Sequence, residues 1–423
     1  MFRTKKLSVL VVLFVVAVFF MVGCSKAKTG SRKVVLRYEN AESTVTQIKI
    51  MKQICDEFMK ENPDIEIKLT YATTQEKIIT EMAGDVCPDV FFWWNGVTDL
   101  INRDALLPLN DYVKKYKIDK NQYFKGLVDY YTYKDELYSM PLQLNTWCLA
   151  YNKTMFDKEK LPYPTDKWTW KDYYESSKKF CKDTNGDGIR DQFGSSAGNT
   201  EMWIYMNGGK IVDFDKKKCV IDSKSSREAL EYLVKFRKDC APTRAEASSF
   251  SDLKMGISPF LSGKMAMQVT PAWQVSAFAA KKDLVWDVVP LPIPPNGKRI
   301  VVFGEGGMCI SKKTKYPDEA FRFVAFYCGK RGMELFGEGK NGIPALKSAA
   351  KTVFITPPPD SMKYYVEAAE SATVPIAPKV ESYTKYFQPY EKYNELLFIG
   401  NINVDECVKA IVKDTDALLK GAK

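Results

Sequence analysis

The chain contains no histidine, so Ser-His-Asp and Cys-His catalysis and His-ligated zinc are excluded at once. Carboxylate, amide and aromatic chemistry remains. Trp93-Trp94-Asn95-Gly96 sets two π faces and an amide directly after an apolar run. Successive side chains of a strand point to opposite faces, so one ring closes a core while the other faces a ligand, unless both are core. Gln143, Asn145 and Trp147, spaced two apart, share one face if extended, toward a core or toward a ligand. Glu39, Asn40 and Glu42 follow a first strand and are open to either reading. Gly304-Glu305-Gly306-Gly307 reads as a flexible turn whose glycines admit close approach, with Glu305 a hydroxyl acceptor or a solvated carboxylate. Asp183, Asn185, Asp187 and Asp191 stand at positions 1, 3, 5 and 9 of a calcium-type loop with Gly188 at 6. Position 12 is Gly194 instead of a bidentate Glu. The loop therefore holds a structural calcium with help from another segment, or is an Asx-rich turn that binds nothing.

The elements that carry these residues follow from periodicity. Val34 to Tyr38 reads as a strand, and Thr44 to Glu61 as a helix stopped by Asn62-Pro63-Asp64. Ile65, Ile67 and Leu69 alternate with Glu66 and Lys68 as a strand does, Thr73 to Met82 suits a helix, and Pro88 to Phe92 a buried strand. Strand-helix-strand-helix-strand signals an α/β fold around a largely parallel sheet. Further on, Arg227 to Lys238 reads as a helix, and Val285 runs as a strand into the stiff connector Pro290-Leu291-Pro292-Ile293-Pro294-Pro295. Helices follow at 317–328, 362–371 and 403–419. Tyr383, Tyr386, Phe387, Tyr390 and Tyr393 keep helical spacing, which makes most of them core and leaves Tyr383 as a ligand candidate.

The beginning of the chain is built differently. Arg3, Lys5 and Lys6 precede an apolar run from Leu7 to Val22 broken only by Ser8, which reads as a secretory signal. It ends at Met21-Val22-Gly23-Cys24, similar to the lipobox of bacterial lipoproteins, and this implies acylation at Cys24 and a membrane anchor on the extracytoplasmic face. The expected parts are a signal peptide over 1–23 and a polar tether over 24–32. The net charge of +10 is dispersed in short lysine pairs, a solvated surface and no nucleic-acid footprint. Nine further cysteines are scattered singly with no CxxC pair, which argues against a full disulfide framework and for thiols kept reduced.

Six segments, taken in order, resemble family 1 of the extracellular solute-binding proteins, the sugar-binding subunits of ABC importers similar to maltose-binding protein. They are FMKENPDIEIKL (58–69), PDVFFWWNG (88–96), LYSMPLQLNTWCLAYNKTMFDK (137–158), GKMAMQVTPAW (263–273), GEGGMCISKKTK (304–315) and GIPALKS (342–348). The resemblance implies a two-lobe α/β fold of the type II periplasmic-binding-protein kind, with ligand in the cleft between lobes. Mapped here, one lobe takes 33–143 plus 298–345 and the other 144–297 plus 346–423. It adds Trp203 and Trp273 as stacking rings, places Gln143 and Asn145 near the cleft, and makes Glu42, Trp93, Trp94, Asn95, Glu305 and Tyr383 the remaining ligand candidates. The implied function is sugar capture by hinge closure, as a monomer needing no cofactor, and delivery to an ABC permease. A secreted glycosidase working through two carboxylates is the rival, but no acid–nucleophile pair stands out. A calcium-binding adhesive lipoprotein is the third reading.

Overall fold

The computed structural model describes residues 33–94, 96–243, 246, 258–380 and 383–421. Its opening βαβαβ unit follows the sequence pattern closely. Strand β1 (Val34–Glu39) leads to helix α1 (Val45–Glu61), whose N-cap Thr44 accepts the Gln47 amide, a contact worth about 1 kcal/mol. Met51, Ile54, Cys55 and Phe58 form its buried stripe. Strand β2 (Ile65–Thr70) pairs with β1 in parallel over its whole length. Helix α2 (Gln75–Ala83) then returns the chain to β3 (Val90–Trp93), which lies parallel to β1 on its other side. Helix α3 (Lys125–Tyr131) follows, and then two adjoining strands, β4 (Met140–Asn145) and β5 (Trp147–Asn152), belonging to different sheets.

The second sheet is assembled from later segments. Helix α4 (Trp170–Phe180) opens on a Thr169–Asp172 capping box and precedes β6 (Phe193–Ser196). Helices α5 (Thr200–Met206) and α6 (Lys224–Cys240) come next, then β7 (Met265–Pro271) and β8 (Trp286–Pro290). The order in this sheet is β8-β5-β7-β6. The proline-rich connector carries the chain back to β9 (Val302–Ile310), which lies antiparallel between β3 and β4 in the first sheet. Helices α7 (Pro317–Tyr327) and α8 (Lys330–Glu338) pack on that sheet, and β10 (Ile343–Pro344) completes its edge beside β4. Helix α9 (Lys363–Glu370), β11 (Val374–Pro375, added to β9), α10 (Tyr383–Phe398) and α11 (Val404–Gly421) end the described chain.

One difference from the sequence reading bears on the site. Residues 304–307 are the interior of β9 and no flexible turn. Their glycines answer to crowding: a Cβ on Gly306 would stand 2.6 Å from the Phe92 ring, and one on Gly307 2.2 Å from Ser139 Oγ, across a bulge between the two. Helix α9 lies where the two sheets meet, against β5 and β8 of the second and β4 of the first. The Tyr365 carbonyl accepts from Thr146 Oγ1 (2.9 Å) and its hydroxyl donates to the Thr270 carbonyl (3.1 Å). Its buried Tyr365, Val366 and Ala369 belong to a core that runs under the first sheet and also takes in Cys148, Ala150, Met265 and Val288 of the second. A second core gathers around Trp170, Tyr173, Trp203, Leu233 and Phe236, with Phe387 and Tyr390 of α10.

Candidate functional site

The carboxyl ends of β1 and β3, the end of β4 and the turn before β10 meet at one place, where open α/β sheets bind ligands. From β1, Asn40 donates to the Tyr38 hydroxyl (2.6 Å) and accepts the Glu42 amide (3.0 Å), holding Glu42 at the mouth of a small cavity. Removal from water raises the Glu42 carboxyl above its ordinary pKa, and a hydrogen bond from Asn341 partly offsets this. Asn341 also binds Gln47 from α1. The backbone there is tightly turned, with positive φ at Lys340 (51°) and Gly342 (119°). Gln143 and Asn145 of β4 point to the same floor, both buried. Three amide oxygens there, Gln47 Oε1, Gln143 Oε1 and Asn145 Oδ1, are buried without a hydrogen-bond partner. Such acceptors are costly unless an O–H or N–H donor arrives.

Aromatic rings stand beside this floor. Trp93 ends β3 and Trp94 follows it, so the two rings point different ways. Trp93 turns inward, edge-on to Phe91, with its indole N–H donating to the Gly96 carbonyl (2.6 Å). Trp94 is half-buried and stacks on Phe92 at 5.5 Å and 25°. Its carbonyl is held by Gln75 Nε2 (2.7 Å). From the second sheet come Trp147 and Trp273, edge to face at 5.6 Å. Trp273 is 39% exposed, unusual for a ring of its size. Gly304 is where the two sheets' contributions touch. A Cβ there would lie 3.4 Å from the Trp147 ring, 3.8 Å from Trp273 and 3.9 Å from Asn145. The arrangement thus pairs an exposed aromatic plane with unsatisfied amide acceptors.

Other candidates fall elsewhere. Trp203 is fully buried, stacked on Tyr173 (5.8 Å, 12°), with its indole donating to the Ala197 carbonyl (2.5 Å). It is a core ring, because α5 turns that side chain under the second sheet. Glu305 is a buried strand residue whose carboxylate accepts the Gly96 amide (3.0 Å), so it fixes the turn after β3 and does not sit in a mobile loop. Asn95, Cys24 and the 1–32 segment lie outside the described residues, as does the side chain of Tyr383, which begins α10. Gln47 and Asn341 were not singled out in the sequence. Gln47 sits in the first turn of α1, where a Gln three residues after Thr44 reads as part of the helix start, and the only sequence signal at Asn341 is the Asn-Gly turn that it forms with Gly342.

The 183–191 loop closes on itself. Asp183 accepts the Gly186 and Gly188 amides (both 2.7 Å), Asp187 accepts Ile189 (2.8 Å), Asp191 accepts Thr184 (2.8 Å), and Asn185 accepts Asp187 (3.0 Å). A side chain at position 12 is sterically excluded, since a Cβ on Gly194 would stand 2.1 Å from the Ser177 carbonyl. Among the described residues no group of three or more acidic or cysteine side chains is placed to hold a metal.

Residues 42–334 match the family model described as bacterial extracellular solute-binding protein. This chain belongs to that family. Among curated relatives, this solute-binding protein is 24% identical to the maltodextrin-binding protein MdxE of Bacillus subtilis (strain 168), over 78% of each chain. Among solved structures, it resembles the ABC substrate-binding protein Lmo0181 from Listeria monocytogenes in complex with cycloalternan. That match has a TM-score of 0.80 and 23% identity, and covers 92% of this chain and 99% of the other. An ABC transporter solute-binding protein from Thermotoga lettingae TMO, bound with α-D-tagatose, gives a TM-score of 0.77 at 18% identity, covering 92% and 100%. The two-lobe fold of the solute-binding protein follows from these likenesses.

Proposed function

We propose that the protein captures a mono- or oligosaccharide between its two sheets and delivers it to an ABC permease, without turnover. The observation that carries this reading is the exposed Trp273, set edge to face on the buried Trp147 and abutting Gly304 and Asn145. A sugar ring offers an apolar face to such a plane and hydroxyl donors to Gln47, Gln143 and Asn145. Trp94 supplies a second ring from the first sheet. The relatives named for maltodextrin, cycloalternan and tagatose support the saccharide class. Ligand touching both sheets shifts the open–closed equilibrium by its differential affinity, and the permease reads the closed shape.

The polar tether and Cys24 complete the proposal. Acylation there holds a monomeric binding protein on the extracytoplasmic face, keeping loaded molecules close to the permease. No cofactor enters this reading, and any calcium at 183–191 is structural. Tryptophan fluorescence titrated with linear maltodextrins, maltose and tagatose tests it, with the sugars analysed afterwards by chromatography. Saturable change with intact sugar supports capture. Hydrolysed sugar, or no response to any saccharide, contradicts it.

A further inference from the structure

The second sheet's helices bring two of the nine scattered cysteines together. Cys181 caps the end of α4 and Cys240 is the last residue of α6. The two helices are locked side by side, with Tyr173 stacked on Phe236 at 4.7 Å and Tyr174 hydrogen-bonded to Asp239. Cys181 Sγ donates to the Cys240 carbonyl at 3.4 Å, and the Cys240 thiol, on the same residue, donates to the Tyr174 carbonyl of α4 at 3.8 Å. Cys181 is half-buried while Cys240 is fully buried. An accessible thiol against a buried one is the arrangement of an attacking and a resolving cysteine.

We infer that Cys181 and Cys240 form a redox-active dithiol, closed to a disulfide by exchange with a small-molecule disulfide. Cys181, as thiolate, attacks one sulfur of the external disulfide and expels the other as a thiolate, which takes up the proton that Cys181 lost. Cys240 then attacks the Cys181 sulfur of the mixed disulfide, and the second external thiolate leaves with the Cys240 proton. One S–S bond forms in the protein, and the external disulfide is reduced to two thiols.

Electrostatics supports the same division of labour. The Cys240 thiol, the Gly194 amide and the Arg190 guanidinium lower the Cys181 pKa against burial and the neighbouring Asp239. Arg190 itself is ion-paired with Glu246. Burial raises the other thiols: Cys87 and Cys407 to about 11, Cys55 and Cys309 to about 12, and Cys148, Cys219 and Cys328 upward as well. Closure would staple the ends of α4 and α6, across the base of the 183–191 loop.

The test treats the protein with oxidised glutathione, counts free thiols after denaturation, and maps peptides without reduction. The expected result is the loss of two thiols, one cross-linked peptide pair containing Cys181 and Cys240, and a higher melting temperature that reduction reverses. A glutathione adduct persisting on Cys181 beside a free Cys240, a link between other cysteines, or no thiol loss would overturn the inference. Alkylation by iodoacetamide gives a second measurement. Cys181 should react first, and Cys240→Ala, checked for native fluorescence, should slow it several-fold. An unchanged rate in that variant counts against the pair.

Discussion

At the scale of single residues, Trp273 combines what a saccharide site needs: a large plane, 39% exposure and a fixed tilt set by Trp147. Truncating such a ring in a binding site typically removes about 2 kcal/mol, or roughly 30-fold in affinity. Trp273→Ala should therefore weaken saccharide binding by that order in a fluorescence or calorimetric titration while leaving the melting temperature nearly unchanged. Asn145→Ala should weaken binding about tenfold, the value of a hydrogen bond in a desolvated site. Glu42 adds a pH dependence. Its folded pKa is raised, so the native state holds a proton that the unfolded state has already released. Stability then falls as pH rises from the ordinary carboxylate value through the folded one. Denaturation of Glu42→Gln across that window should give a flatter profile, and greater stability than the parent above it.

At the scale of elements, the glycines of β9 are the most exposed to test. A Cβ on Gly307 would overlap Ser139 Oγ and the Tyr131 ring at 2.2 and 2.8 Å. Gly307→Ala should cost about 1–3 kcal/mol, the range for overpacked cores, read as a lower denaturation midpoint. The 183–191 loop is held by its own amides, so chelation should leave the melting temperature where it was. A clear rise on adding calcium would instead show that the four oxygen side chains can turn outward to a cation. The elements themselves were largely legible: α1, β2 and β3 follow directly from periodicity in 45–93. The glycine run was misread because local sequence cannot show that Phe92 and Tyr131 crowd it. Trp203 was misplaced for a related reason. Trp203 was a stacking ring only by resemblance, and local sequence cannot show that Tyr173 and Trp170, distant in sequence, close over it. Alternation left Trp93 and Trp94 either divided between core and ligand or both core; Trp93 is buried, and Trp94 is half-buried against Phe92.

At the scale of the whole molecule, function depends on what lies between the sheets and on how they are joined. Thr146, the proline-rich connector and α9 lie at the joint, and Tyr365 of α9 is hydrogen-bonded both to Thr146 and to Thr270 of β7. Tyr365→Phe removes only the bond to the Thr270 carbonyl and should change stability by about 1 kcal/mol. Sugar affinity should change with it if the joint sets the balance between open and closed forms. The anchor is a separate claim, and Cys24→Ala should release the protein from membranes without altering ligand affinity. The most direct test of the account is calorimetric titration of the protein with mono- and oligosaccharides, amino acids and glycerol phosphate, repeated on Trp273→Ala. The account predicts saturable binding of one saccharide class, weakened roughly 30-fold in the variant. Binding confined to a non-sugar solute, or saccharide binding indifferent to the loss of Trp273, would contradict it.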